Sequence, residues 1–376
     1  MKRKTVLAFI DWYRPGYKAG GTITAFGNFV DHLEEELEFK IVTRDCDYTE
    51  TETYPHITLN SWTDLSKTSV FYLSKYNTNF SKIKDLVSSS EFDWLYVNGI
   101  FSVYFSILPL WFAKNKKCIV NPHGMLSDQA FSVKKLKKIV FLTIANGLGL
   151  YKNIIFHVAN ENERLDVIKR VKRFKNIRVI NQLPRKIEKS VSSEPKKKSE
   201  VLKFVTVARI SVEKGILESL SALSKITQDI NFDIYGAIYD EMYWKKCQEV
   251  IARLPSNIFV NYKGSIDGRH MIETLNSYDF FILLSKGENF GHAILEALSA
   301  GCPVLISNQT PWKDLQTKKI GWDIDIEDPN DVARCVKAAC HLSKEDYQTW
   351  SDNAIKYSIA FSENPKLLQS NLNLFQ

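Results

Sequence analysis

Apolar and polar positions along this chain fall into two kinds of block. Short runs at residues 5–10 (TVLAFI), 39–44 (FKIVTR), 94–99 (WLYVNG), 117–124 (KCIVNPHG) and 153–160 (NIIFHVAN) are apolar on consecutive positions and mostly end in polar or glycine residues. The same pattern returns at 203–210 (KFVTVARI), 232–236 (FDIYG), 257–264 (NIFVNYKG), 279–285 (DFFILLS) and 303–307 (PVLIS). Consecutive apolar positions mark strands buried on both faces, as in parallel sheets. Between them, residues 24–37 (TAFGNFVDHLEEEL), 215–226 (GILESLSALSKI), 271–278 (MIETLNSY) and 292–300 (HAILEALSA) carry apolar residues at helical spacing. Strands alternating with helices predict βαβ units and doubly wound parallel sheets.

The alternation is interrupted once, at residues 185–200, a polar Lys/Ser/Pro stretch with almost no large apolar residue that reads as a linker. The expected organisation is an N-terminal Rossmann-like domain at 1–184, the linker at 185–200 and a C-terminal Rossmann-like domain at 201–355. A length of 376 residues suits two domains better than one.

Composition narrows the classes. No apolar run approaches the ~20 residues of a membrane span, and Met1–Lys4 leads into only a short apolar run before Asp11, a poor signal peptide. The six cysteines are scattered without a C-x-x-C, which points to reduced thiols and a cytoplasmic setting. Net charge is +7, and it is uneven: between residues 114 and 178 there are 15 Lys and Arg against 4 Asp and Glu. Such a surface suits an anionic partner, or is simply a solvated face. The stretch 132–148 (SVKKLKKIVFLTIANGL) joins Lys134, Lys135, Lys137 and Lys138 to Leu, Ile, Val and Phe, an amphipathic pattern compatible with peripheral contact at an anionic membrane surface.

The candidate chemistry centres on residues 285–307, SKGENFGHAILEALSAGCPVLIS. Glu288 sits in the loop after a predicted strand, the end at which open α/β sheets bind ligands. Asn289, Phe290, Gly291 and His292 lead into a helix whose first N–H groups and dipole make an anion site. Glu296 lies one to two turns in, where a carboxylate would face something uncharged, such as ribose hydroxyls; as an isolated pair, both glutamates could equally be capping or surface residues. Arg209 and Lys214 follow a buried strand and supply fixed cations. Gly20 and Gly21 precede an amphipathic helix, a turn or a ligand approach point. His123 follows another strand. Neither G-x-G-x-x-G nor a Walker lysine motif is present.

The strand, E-N-F-G-x-x-x-x-E and A-G-x-P-V together strongly resemble the E-x7-E signature of retaining GT-B-fold glycosyltransferases, specifically glycosyltransferase family 4 (glycosyl transferases group 1). The segments VARISVEKG (207–215), RPGYKAGG (14–21) and NPHGML (121–126) fit the same family in order. The resemblance implies a GT-B fold, two Rossmann-like domains facing a central cleft, with the first binding acceptor, the second binding donor, and residues 356–376 returning to the first domain. It implies transfer of a sugar from a nucleotide-sugar, with retention, to a glycan or lipid-diphosphate-linked acceptor, in cell-surface polysaccharide (lipopolysaccharide, capsule or exopolysaccharide) biosynthesis. By the same resemblance Glu296 holds the donor ribose, Glu288 lies beside the donor sugar, Arg209 and Lys214 hold the diphosphate, and His123 touches the donor sugar.

No metal or other cofactor is called for, and the D-x-D at Asp323–Asp325 falls in an expected late turn. Glu161 reads as helix-start chemistry, and Trp312 as packing or a site wall. The alternatives are another GT-B activity, phosphorylase or sugar-nucleotide hydrolase, and a basic nucleic-acid-binding protein. The last accounts for the charge but not for the glutamate-bearing half, so no nucleic-acid partner is expected.

Overall fold

The computed structural model describes residues 3–132, 134–186 and 196–376. The chain forms two compact units, Met1–Leu183 with Pro365–Gln376, and Pro184–Asn364.

The first unit is built on an eight-stranded sheet. Its strands are β1 (Lys4–Phe9), β2 (Leu37–Arg44), β3 (Trp62–Leu65), β4 (Thr68–Leu73), β5 (Trp94–Asn98), β6 (Lys117–Asn121), β7 (Ile154–Val158) and β8 (Asn176–Val179). They lie in the order β3-β4-β2-β1-β5-β6-β7-β8. All neighbours are parallel except the β3–β4 hairpin. The helices are α1 (Gly21–Leu33), α2 (Phe80–Ser89), α3 (Leu108–Phe112), α4 (Asp128–Ser132), α5 (Lys135–Gly147) and α6 (Glu161–Arg170). The apolar runs read from sequence are the central strands, and β1 and β5 are buried almost throughout. The helix expected over 24–37 ends at Leu33, and Leu37 opens β2 opposite Lys4. Glu34, Glu35 and Glu36 would crowd negative charge at a helix C-terminus, where the dipole disfavours it.

The second unit holds a six-stranded, wholly parallel sheet. Its strands are β9 (Leu202–Val207), β10 (Ile230–Tyr235), β11 (Ile258–Gly264), β12 (Phe280–Leu283), β13 (Val304–Ser307) and β14 (Gly321–Ile324). Their order is β11-β10-β9-β12-β13-β14, which reverses direction between β9 and β12. Helices α7 (Ile216–Leu223), α8 (Glu241–Ile251), α9 (Met271–Asn276), α10 (His292–Ser299), α11 (Pro329–Cys340) and α12 (Lys344–Ser362) accompany it. Two apolar clusters, one around Phe204, Phe232 and Trp322, the other around Phe281, Ile294 and Leu298, fill the layers between sheet and helices. Helix α10 stops in a Schellman turn: Gly301 has φ 65°, Cys302 N–H donates to Ala297 O at 2.9 Å and Gly301 N–H to Leu298 O at 3.0 Å. Asp323 belongs to β14 rather than to a late turn, and its carboxylate accepts from the N–H groups of Asp314 and Leu315.

Two sequence expectations shift at the ends of this unit. Residues 187–195, the middle of the expected linker, lie outside the described residues. The flanking residues are anchored: Lys198 Nζ donates to the carbonyls of Cys340 and Leu342, both at 2.7 Å, and Ser199 N–H to Asp279 at 2.9 Å. At the far end α12 runs unbroken to Ser362, so the chain leaves this unit at Asn364 rather than near residue 356. Helix α13 (Pro365–Leu372) and a closing 3-10 turn then rejoin the first unit. There Phe375 packs on Phe29, Trp94 and Tyr96, and its carbonyl accepts from Lys4 Nζ at 2.7 Å.

Candidate active site

In the second unit the sheet reverses between β9 and β12, so the loops after these two strands, 208–215 and 284–291, leave the same edge side by side. That is the crevice at which doubly wound sheets bind ligands. The loops are fastened together by Lys286 N–H donating to Glu213 O at 2.8 Å. Gly215, at φ 68°, passes so close to β12 that a Cβ there would lie 1.9 Å from Leu284 O; no other residue fits.

This approach brings two of the candidate residues into contact. Lys214 Nζ lies 2.7 Å from Glu288 Oε1, both side chains largely shielded from water. Arg209 stands apart and more open, 5.0 Å over the ring of Tyr239 and 3.8 Å from Glu213. Within the two loops, Ser211 Oγ and Ser285 Oγ are buried with no hydrogen-bond partner in the protein.

Helix α10 begins at this crevice. Its N-cap, Gly291, has φ 83°, and no side chain caps the first turn. Asn289, Phe290 and Gly291 form the approach, and His292 is the first helical residue. Trp312 holds the turn: its Nε1–H donates to Phe290 O at 2.6 Å and its ring meets Phe290 edge to face. Half-buried His292 packs on Phe290, and burial together with the Arg185 guanidinium pushes its imidazole down to about 3.

Glu296, one turn further, is buried and engaged. Arg185 donates to its Oε1 from Nε at 3.1 Å and from Nη2 at 3.0 Å. Burial raises the Glu296 carboxyl above its usual value, with Arg185 opposing the rise. Arg185 was assigned to the linker by the sequence pattern; it is instead part of this site. Its partner lies 111 residues away, so no local signal marks it.

The first unit places its candidates separately. Gly20 caps α1, and the space where a Cβ would stand at Gly20 or Gly21 is open. His123 follows β6 with φ 50°, in the left-handed region. Its Nε2 lies 2.8 Å from Asn98 Oδ1. Asn98 Nδ2 donates to Phe9 O, so Oδ1 faces the histidine as an acceptor and Nε2 carries the proton. Glu163, two residues beyond the Glu161 singled out in the sequence, secures the loop: it accepts Gly124 N–H at 2.6 Å and Ala159 N–H at 2.7 Å. Glu161 pairs with Arg164 on the surface.

Residues 187–357 match the family glycosyl transferases group 1. The matched stretch, under half of the chain, lies within the second unit, which is similar there to the domain of a transferase enzyme.

The whole chain has the GT-B fold. It superposes on Anabaena Alr3699/HepE in complex with UDP and glucose with a TM-score of 0.68 at 15% identity, over 99% of this chain and 98% of that one. It superposes on WaaG, a glycosyltransferase involved in lipopolysaccharide biosynthesis, with a TM-score of 0.63 at 11% identity, over 99% and 98%. Among curated relatives, GDP-mannose:cellobiosyl-diphosphopolyprenol alpha-mannosyltransferase of Xanthomonas campestris is 27% identical over 54% of this chain and 52% of its own length. The GtfA subunit of Streptococcus parasanguinis UDP-N-acetylglucosamine–peptide N-acetylglucosaminyltransferase is 25% identical over 30% of this chain and 21% of its own. The chain thus spans about half or less of the curated relatives it matches.

Proposed function

We propose that this protein is a retaining glycosyltransferase of family 4, moving a sugar from a nucleotide-diphosphate sugar to a glycan or lipid-diphosphate-linked acceptor in cell-surface polysaccharide assembly. The observation that carries the reading is the Lys214–Glu288 pair at the reversal point of the second sheet, beside the uncapped start of α10. Relatives support the substrate class: Alr3699/HepE is described with UDP-glucose, an E. coli neighbour with UDP-2-fluoro glucose, and the Xanthomonas relative acts on a diphosphopolyprenol.

The second unit binds the donor. Arg209, Lys214 and the N–H groups entering α10 meet the diphosphate, whose charge grows as the sugar departs. Glu288 keeps the ammonium of Lys214 aimed into the crevice and lies beside the donor sugar. Glu296 takes the ribose hydroxyls, which exchange with or join Arg185 at its carboxylate. The first unit binds the acceptor and presents Gly20, Gly21 and His123, the last with Nε2–H fixed on Asn98. The departing phosphate takes the acceptor proton on the same face of the sugar, which leaves the anomeric configuration unchanged. These cations and dipoles supply the positive charge, so the reaction needs no added metal. A lipid-linked acceptor would be met at an anionic membrane surface.

The test is a thermal-shift panel of UDP-, GDP- and ADP-sugars followed by an assay of nucleoside diphosphate release in EDTA. A ligand of the native state raises apparent stability. No shift with any of the three, with salt-sensitive nucleic-acid binding in its place, would overturn the reading.

A further inference from the structure

The first sheet also reverses direction, between β1 and β5, and the chain leaving these strands meets the end of β2 at that crevice. Asp11, just past β1, stands there, and every hydrogen bond of its carboxylate goes to one oxygen. Arg44, the last residue of β2, donates to Oδ1 from Nε at 3.1 Å and from Nη2 at 2.7 Å. Ser102, in the loop after β5, donates to the same Oδ1 from Oγ at 2.9 Å. Asp11 Oδ2 and Arg44 Nη1 have no protein partner among the described residues. Both side chains keep an open part, 18% for Asp11 and 33% for Arg44.

The surroundings hold this pair still. The Arg44 guanidinium lies 5.4 Å over the ring of Trp12 and 4.8 Å over that of Phe105. Phe105 belongs to a π-helical turn, Val103–Ile107, a rare form that recurs at functional sites. Ser102 opens that turn: its carbonyl accepts the N–H groups of Ser106 and Ile107, both at 2.9 Å, and its Oγ accepts Phe105 N–H at 3.4 Å. Three donors on Oδ1 thus fix the plane of the carboxylate and leave Oδ2 to an outside group. A carboxylate oxygen and a guanidinium nitrogen side by side match two neighbouring hydroxyls of a sugar, one donating to Oδ2 and the other accepting from Nη1. The two charges cancel, so a phosphate or uronate would meet the Asp11 oxygen with no surplus cation to hold it.

We propose that Asp11 and Arg44 anchor the acceptor by two adjacent hydroxyls of an uncharged sugar unit. This rests on the transferase reading and deepens its acceptor side by naming the residues and the kind of unit they take. It uses none of the donor-site groups.

The full chain would be titrated by saturation-transfer NMR with the methyl α-glycosides of glucose, mannose and galactose. The 3-deoxy analogue of each, which has no adjacent ring hydroxyls, and methyl α-glucuronide complete the panel. At least one neutral glycoside should bind, its 3-deoxy analogue about tenfold more weakly and the glucuronide more weakly too. Asp11→Asn can keep Arg44 and Ser102 on its one oxygen while a donor replaces the acceptor at Oδ2. It should lose about tenfold or more in glycoside affinity, the scale of one hydrogen bond to a charged group. Arg44→Lys should lose several-fold, since an ammonium cannot serve carboxylate and hydroxyl in one plane. No binding of any neutral glycoside overturns the proposal, as does equal binding of the 3-deoxy analogue. Tighter binding of the glucuronide would assign the pair to an anionic acceptor and overturn it as well. A lowered melting temperature in Asp11→Asn with unchanged glycoside affinity would make the pair structural only. The nucleotide-sugar thermal shift, read on the same preparations, separates the two failures: its loss in the wild type sinks the transferase reading, its persistence without glycoside binding sinks only this proposal.

Discussion

Lys214 Nζ and Glu288 Oε1 meet at 2.7 Å although their residues are 74 positions apart. They meet because β9 and β12 are neighbours in the sheet and because Gly215 lets the first loop lie against the end of β12. The pair joins a cation expected at the diphosphate to a carboxylate expected at the sugar, so the two should act as one unit. Lys214→Met and Glu288→Gln are each expected to lower turnover roughly 100-fold, the scale of losing one preorganised electrostatic group. The double variant should fall well short of the product of the two, since partners in contact are not additive. Initial rates of nucleoside diphosphate release at saturating donor measure this; fully multiplicative losses would mean that the pair is not a functional unit.

Arg209 tests the diphosphate assignment on its own. It rests on Tyr239 with only a distant contact to Glu213, so its removal should leave the fold intact. Arg209→Ala should lower turnover by about 100-fold or more with a smaller effect on donor binding, because the charge it faces grows in the transition state. Arg209→Lys should recover only part of the rate, an ammonium being unable to grip two oxygens in one plane. Full turnover of a folded Arg209→Ala protein would remove this loop from the chemistry.

Glu296 and Arg185 allow a binding prediction with two arms. Glu296→Ala should weaken nucleotide-sugar binding by roughly 1–3 kcal/mol, the range for hydrogen bonds to a charged group and the cost of leaving partners unpaired. Arg185→Met separates two roles for the guanidinium. If it merely occupies the carboxylate in the free protein, the variant binds donor at least as well; if it orients the carboxylate, affinity falls. Unchanged affinity in Glu296→Ala, measured by calorimetry, would take Glu296 out of the site.

Stability should fall with acid for a reason located in two imidazoles. His157 is buried, accepts from Tyr96 OH through Nδ1 and donates Nε2–H to Ile180 O; burial holds it down to about 4, against an ordinary 6.5. His292 is held down to about 3. Between pH 6.5 and these values the unfolded chain binds more protons than the folded one, so stability is full above pH 6.5 and declines as pH falls. Each imidazole contributes a slope of at most about 1.4 kcal/mol per pH unit. Glu296, with its carboxyl raised, works in the opposite sense and favours the folded chain on the acid side. Urea titrations of the wild type and His157→Gln at pH 7 and pH 5 should show the variant losing less on acidification. Equal losses would place the acid sensitivity elsewhere.

The strands that build both sheets were legible because consecutive apolar positions admit little else, and β12, wholly buried, is the plainest case. The start and stop of α10 were legible too, since Gly301 and Pro303 allow few continuations. The β3–β4 hairpin was not: β3 is largely exposed and carries no alternation to betray it. The site was legible in its residue types but not in its pairings. Whether Lys214 faces a phosphate or a carboxylate depends on which strands are neighbours, and sheet order is not written in any local window. Arg185 shows the same limit, since a polar neighbourhood hides a residue whose partner comes from α10.

The second unit interrupts the first: the strands of the eight-stranded sheet are complete by Val179, yet Phe375, which packs on Phe29, Trp94 and Tyr96, arrives only after all of Pro184–Asn364. During synthesis on the ribosome the earlier-made unit must therefore wait, part of its aromatic core open, while the later-made one emerges and can close without it. Birth order and completion order are reversed, and until Phe375 arrives the rings of Phe29, Trp94 and Tyr96 lack its contact.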